Sequence, residues 1–194
     1  TLHEGTSFPV GKVDELTLRP LSFTEFLTGT GDAPLAQLLE SGDEAAIDTM
    51  HETLIERLRR YFFTGGMPEA VAAFAQGRPL AEVRHIQDNI ILAYQNDFSK
   101  HAPVREVPRL NLVWRSLVAQ LAKENKKFIY GAIKRGGRAK EFETAIQWLV
   151  DAGTVNRVNR VNKPALPLKF YEDFNAFKLF PLIIFMVAVI VFIF

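Results

Sequence analysis

The sequence predicts a mainly α-helical fold with a small β component, its second half in the order of a winged helix-turn-helix. Three observations carry this. Apolar residues recur at three- and four-residue spacing through most of residues 44–151. Beyond residue 109 a helix, a basic glycine-bearing turn, a second helix and two strand candidates follow in succession. The charge balance also reverses near residue 103. Residues 1–103 carry 8 Lys+Arg against 15 Asp+Glu, and residues 104–178 carry 15 against 7. That split, −7 and +8, lies hidden in a formal net charge of +1 and suggests two modules.

Taken in order, "DELTLRPLSFTEFL" (Asp14 to Leu27) reads as a short strand around Leu16 and Leu18, then a helix start. Ser22 followed by Glu25 has the spacing of a capping box. "TGTGDAP" (Thr28 to Pro34) reads as a loop. Glu44 to Phe63 reads as one amphipathic helix, with Ile47, Met50, Leu54, Ile55, Leu58 and Tyr61 in phase. Thr64-Gly65-Gly66 stops it. Pro68, with Glu69 beside it, sits where a first helical turn accepts proline. The helix it opens runs to about Gln76, before Gly77. Leu80, Val83, Ile86, Ile90 and Tyr94 then mark a third helix in tandem.

"HAPVREVP" (His101 to Pro108) reads as the module boundary. Arg109 to Glu124 is expected to be helical, with Leu110, Val113, Trp114, Leu117 and Leu121 on one face. "YGAIKRGGRAK" reads as a basic connection. Glu141 to Asp151 follows as a helix with Phe142, Ala145, Ile146 and Leu149 inward and Gly153 closing it. Strands are expected at Thr154–Val161 and Leu168–Glu172, with "NKPALP" as the loop between them. Trp114 and Trp148 lie in the apolar patterns of their helices and read as core. Leu179 to Phe194 is 16 residues without a charge. A helix of that length spans roughly 24 Å, short of the ~30 Å hydrocarbon core.

Composition excludes several classes. With 48% hydrophobic and 23% charged residues, most of the chain should fold. Without cysteine there is no disulfide, zinc–thiolate site or cysteine nucleophile, and a reducing, cytoplasmic setting is expected. Four scattered histidines form no H-x-x-x-H pair, so no metal site is expected. "GTSFPVGKV" (Gly5 to Val13) fails as a P-loop. Five residues separate its glycines, and Val13 replaces the hydroxyl that would hold Mg²⁺. No catalytic residue is assigned.

Two candidate binding regions remain. Gly65 and Gly66 precede the proline-started helix at Pro68. Free N–H groups of a helix N-terminus favour anions, and glycine admits a close approach, although a plain chain turn explains the same residues. Lys134, Arg135, Arg138, Lys140, Arg157, Arg160 and Lys163 flank the helix at residue 141 and the loop after it. As phosphate contacts they would make DNA a partner. Glu141 and Glu143 would repel phosphate while suiting a helix start. Another protein is the alternative partner, and a membrane is not expected.

"SFPVGKVDELTLRPLSFTEFL", "YFFTGGMPEAV", "QLAKENKKFIYGAIKRGGRAKEFETAIQWLVDAGTVNRV" and "PLKFYEDFNAFKLF" together resemble the prokaryotic AAA-type ATPases, ATP-binding proteins with a C-terminal domain of unknown function. The resemblance covers roughly residues 1–180. It implies a nucleotide-binding core with Walker A and Walker B before this chain. Residues 1–30 would then end that core, 31–103 form a helical lid, and 104–178 form a winged helix. Gly65, Gly66 and Pro68 would lie near the nucleotide. ATP and Mg²⁺ would be cofactors of the intact protein, with no tight binding by this chain alone. A nuclease-like region usually follows in the family, and residues 179–194 depart from that pattern. On this reading the chain is incomplete at both ends, through a frameshift or a truncated gene. A membrane anchor is the competing account of the tail, and would make the chain a tethered interaction protein.

Overall fold

The computed structural model describes residues 18–123 and 127–182. The glycine-bearing stretch Gly5–Val13, most of the first strand candidate and the tail beyond Leu182 lie outside the described residues. The fold is mainly helical with one two-stranded antiparallel sheet.

Helix α1 (Phe23–Gly29) starts where the capping box predicts. The Glu25 amide donates to Ser22 Oγ at 3.3 Å, and the Ser22 amide donates to Glu25 Oε2 at 2.7 Å. The stretch Thr28–Pro34 is not all loop. α1 takes its first two residues, and α2 (Ala33–Ser41) begins one residue before Pro34. Proline in a first turn costs no hydrogen bond, and Leu35 and Ala36 then bury against Leu27 and Leu54.

The single helix expected from Glu44 to Phe63 is two, α3 (Glu44–Thr49) and α4 (His51–Thr64). The Met50 amide donates to both Ala46 and Ile47 carbonyls at 3.1 Å, a tightened turn that breaks the α-pattern for one residue. α5 (Pro68–Ala75) starts at the proline, and Gly77, at φ 70°, ends the turn after it. α6 (Leu80–His101) is the longest helix described, at 22 residues.

α7 (Val107–Leu121) starts two residues before Arg109, with Pro108 in its first turn. The basic connection contains a short helix, α8 (Tyr130–Ile133), before α9 (Ala139–Asp151). Strand β1 (Val155–Val161) follows nearly as expected. The second strand does not. Leu168–Tyr171 is a 3-10 turn, and β2 runs from Glu172 to Pro181. Pairing is Val155 with Pro181 through Asn159 with Phe177. An irregularity between Asn159 and Arg160 then pairs Arg160 with Asp173. Residues 174–176 therefore bulge from the ladder. The first apolar tail residues, Leu179–Pro181, are the end of this strand, with Leu179 only 2% exposed. The boundary read at Lys178 thus falls inside β2.

Packing divides by helix, with α6 on both sides. Its first half sets Val83 and Ile86 against Ala70 and Ala73 of α5. Its last turns set Phe98, with Ala102 just past its end, into the largest cluster, with Trp114 and Leu117 of α7, Phe142 and Ile146 of α9, and Val155 and Phe177 of the sheet. Trp114 and Trp148 both meet Phe98 edge-on, at 5.2 and 5.6 Å between centroids, so the core reading of the two tryptophans holds.

Candidate functional site

The Gly65-Gly66 turn is built from three directions. Gly65 takes φ 74°, a conformation that side chains resist, and ends α4. Gly66 lies against the segment before α1. The Leu21 amide donates to the Gly66 carbonyl at 2.7 Å, and Tyr61 Oη donates to the Leu21 carbonyl at 2.7 Å. From α6, Gln87 Nε2 donates to both Phe63 and Thr64 carbonyls at 2.8 Å. These are carbonyls that the end of a helix leaves open. Gly65 and Gly66 are buried, whereas Pro68 and Glu69 are exposed. The close approach that Gly66 permits is therefore to Leu21. The side of the turn open to solvent is at Pro68 and Glu69. Sequence reasoning missed Gln87, Tyr61 and Leu21 here. The bonds join residues 23, 24 and 40 positions apart, and no local pattern announces them.

The second region lies between α9 and the sheet. A groove of about 620 Å³ is lined by Tyr130, Lys140, Glu143, Gln147, Arg157 and Phe174, among others. Glu143 sits between two donors. Tyr130 Oη donates to its Oε2 at 2.5 Å, and Arg157 Nη1 donates to its Oε1. Arg157 also lies over the Phe177 ring at 3.9 Å and donates to the Phe174 carbonyl at 3.1 Å. Burial pushes the Glu143 carboxyl up, but the Tyr130 and Arg157 bonds outweigh it and hold the group below its ordinary range. The Tyr130 hydroxyl is pushed up, by burial first and by Glu143 second.

That direction fixes a pH dependence. A carboxyl depressed in the fold contributes stability above its unfolded pKa, and the contribution is lost as pH falls through the folded value. Wild-type protein should therefore lose part of its stability as pH drops below about 4, near the unperturbed Glu pKa. The Glu143→Gln variant should be less stable at neutral pH and flatter across that window. Thermal melts between pH 3 and 7 check this; parallel curves for the two proteins would refute it.

The candidate phosphate ligands are not equivalent. Arg157 is held by Glu143, Arg160 by Asp173 at 2.6 Å, and Lys134 by Glu141 at 3.3 Å. Lys163 lies 5.8 Å from the Tyr171 ring. Arg135, Arg138 and Lys140 are exposed and have no ion-pair partner among the described residues. The β1–β2 connection and the start of β2 expose apolar side chains as well as Lys163 and Lys169. Leu166 is 89% exposed, Phe170 84% and Phe174 63%. Phe174 lies in the bulge of β2, whereas Leu166 and Phe170 precede the strand.

Among the described residues no helix is long and apolar enough to cross a membrane. A family model described as a domain of unknown function, DUF8612, matches residues 55–182, from α4 to just past β2. No curated protein matches the chain, and no solved structure does.

Proposed function

The chain belongs to the DUF8612 family, and we propose that it is the helical-lid and winged-helix part of an AAA-type ATP-binding protein, relaying the state of a nucleotide to the winged helix. The observation that carries this is α6. One continuous helix grips the end of α4, just before the Gly65-Gly66 turn, through Gln87 and enters the second core through Phe98. Phe98 lies eleven positions after Gln87, about 16 Å along the helix at 1.5 Å per residue. A shift of the turn on nucleotide binding would move Gln87, and a rigid helix would carry that shift into the α7–α9 core. The family match runs through both regions without a break, which supports treating them as one functional unit.

In this reading α7, α8, α9, β1 and β2 form the winged helix. The exposed side of the Gly65–Pro68 turn is one wall of a site for ATP and Mg²⁺, the remaining walls coming from a Walker-bearing core. This chain alone should bind ATP weakly. Titration calorimetry with ATP–Mg²⁺ should give no saturable heat at micromolar ligand. Micromolar affinity would refute the assignment of a single wall. In-frame coding sequence upstream should carry Walker A and Walker B, and its absence would refute the ATPase assignment itself.

A further inference from the structure

We propose that the chain associates head to tail with a second copy of itself, the basic, apolar-tipped end around β1 and β2 docking on the acidic α2–α4 face of the next copy. Residues 20–56 contain no Lys or Arg. Within them Glu40, Asp48 and Glu52 are exposed and have no ion-pair partner among the described residues. In the sequence Met50, 37% exposed, lies between Asp48 and Glu52 where α3 meets α4, and the arginines of α4 begin only beyond them, at Arg57.

The β1–β2 region has the complementary character. Arg135, Arg138, Lys140 and Lys169 are exposed and have no ion-pair partner among the described residues, Leu166, Phe170 and Phe174 are exposed apolar side chains, and Lys140 and Phe174 line one groove. A nucleic-acid backbone would answer the cations and leave the apolar tip unmatched. An acidic protein surface with an apolar centre answers both, since interfaces combine apolar contact with opposed potentials. The chain itself supplies a candidate in residues 40–52, which carry Glu40, Asp43, Glu44, Asp48 and Glu52 and no Lys or Arg. The two patches differ, so the contact is heterologous. It extends beyond a dimer unless its rotation closes a ring.

The test uses the full chain in light scattering and sedimentation velocity across salt and protein concentration. Mass above that of a monomer is expected at low salt, falling to monomer as screening shortens the reach of the charges. Reversing the basic end (Arg135→Glu, Arg138→Glu, Lys140→Glu) should abolish association. Reversing the acidic face (Glu40→Lys, Asp48→Lys, Glu52→Lys) should abolish it too. All six side chains are exposed, and circular dichroism checks that the variants fold. Mixing the two reversed proteins should restore association, because each then presents the partner of the other. A third variant, Phe170→Ser, should weaken association without changing its salt dependence. The proposal is overturned by a wild type that stays monomeric at low salt, by association that persists or grows with salt, or by a mixture that stays monomeric. A monomeric wild type that instead retards duplex DNA would assign the basic end to nucleic acid.

Discussion

Replacing Gly66 with alanine should destabilise the protein by about 3 kcal/mol. A β-carbon there would stand 2.3 Å from the Leu21 carbonyl oxygen, 2.9 Å from the Leu21 nitrogen and 3.1 Å from Pro20 Cβ. The first two are main-chain atoms and cannot swing aside as a side-chain end can. The segment must move away, and two hydrogen bonds go with it: Leu21 N–H to Gly66 and Tyr61 Oη to Leu21. Each contributes about 1 kcal/mol, and overpacking adds about 1–3 kcal/mol. In a chain of this size the melting temperature should fall by roughly 10 °C.

Two other glycines separate the clash from the ordinary cost of losing glycine. A β-carbon on Gly131, inside α8, meets nothing within 4 Å, so Gly131→Ala should be neutral or slightly stabilising. Gly77 also has open space but sits at φ 70°, so Gly77→Ala should cost about 1 kcal/mol, for conformation alone. Melts of the three variants give the ranking. A Gly66→Ala protein as stable as Gly131→Ala would mean that Leu21 does not lie against the turn.

The sequence disclosed those parts of the fold whose causes are local. α4, α5, α6, α7 and α9 were legible because their apolar residues keep helical spacing and glycine or proline marks their ends. Gly77 and Gly153 both take positive φ where helices stop. α2 was obscured because Thr30-Gly31-Asp32 resembles the start of a longer loop, and its helical character depends on Leu35 reaching Leu54. β2 was misplaced for a related reason. Leu179–Pro181 is apolar because it closes the core under β1, a pairing visible only once Val155 and Pro181 are side by side. At the candidate sites, the residue types were readable and their partners were not. Glu143 looked like a group that repels phosphate. Folding places it between Tyr130 and Arg157, where it neutralises a cation that the sequence offered as a phosphate ligand.

Phe98→Ala should have the largest effect of any single change considered, because it acts on the joint between the two packed regions. Phe98 is 1% exposed and meets Trp114 and Trp148 edge-on. Truncating such a residue removes its burial and leaves a cavity, at about 3–5 kcal/mol. The location adds a second consequence. Val83, Ile86 and Gln87 keep the first half of α6 on α5 and on the Gly65-Gly66 turn, so that half retains its packing. The last turns lose their main anchor in the α7–α9 core. Both tryptophans of the chain lie in or against that second core, so their fluorescence reports its unfolding alone, while far-ultraviolet circular dichroism reports helix throughout. In the wild type the two signals should melt together, as expected of regions coupled through one helix. In Phe98→Ala the fluorescence transition should move to lower temperature and separate from the later part of the dichroism transition. If the two signals instead stay coincident and shift as one, Phe98 contributes stability without being the coupling, and the relay along α6 proposed for nucleotide signalling would have to run through other contacts.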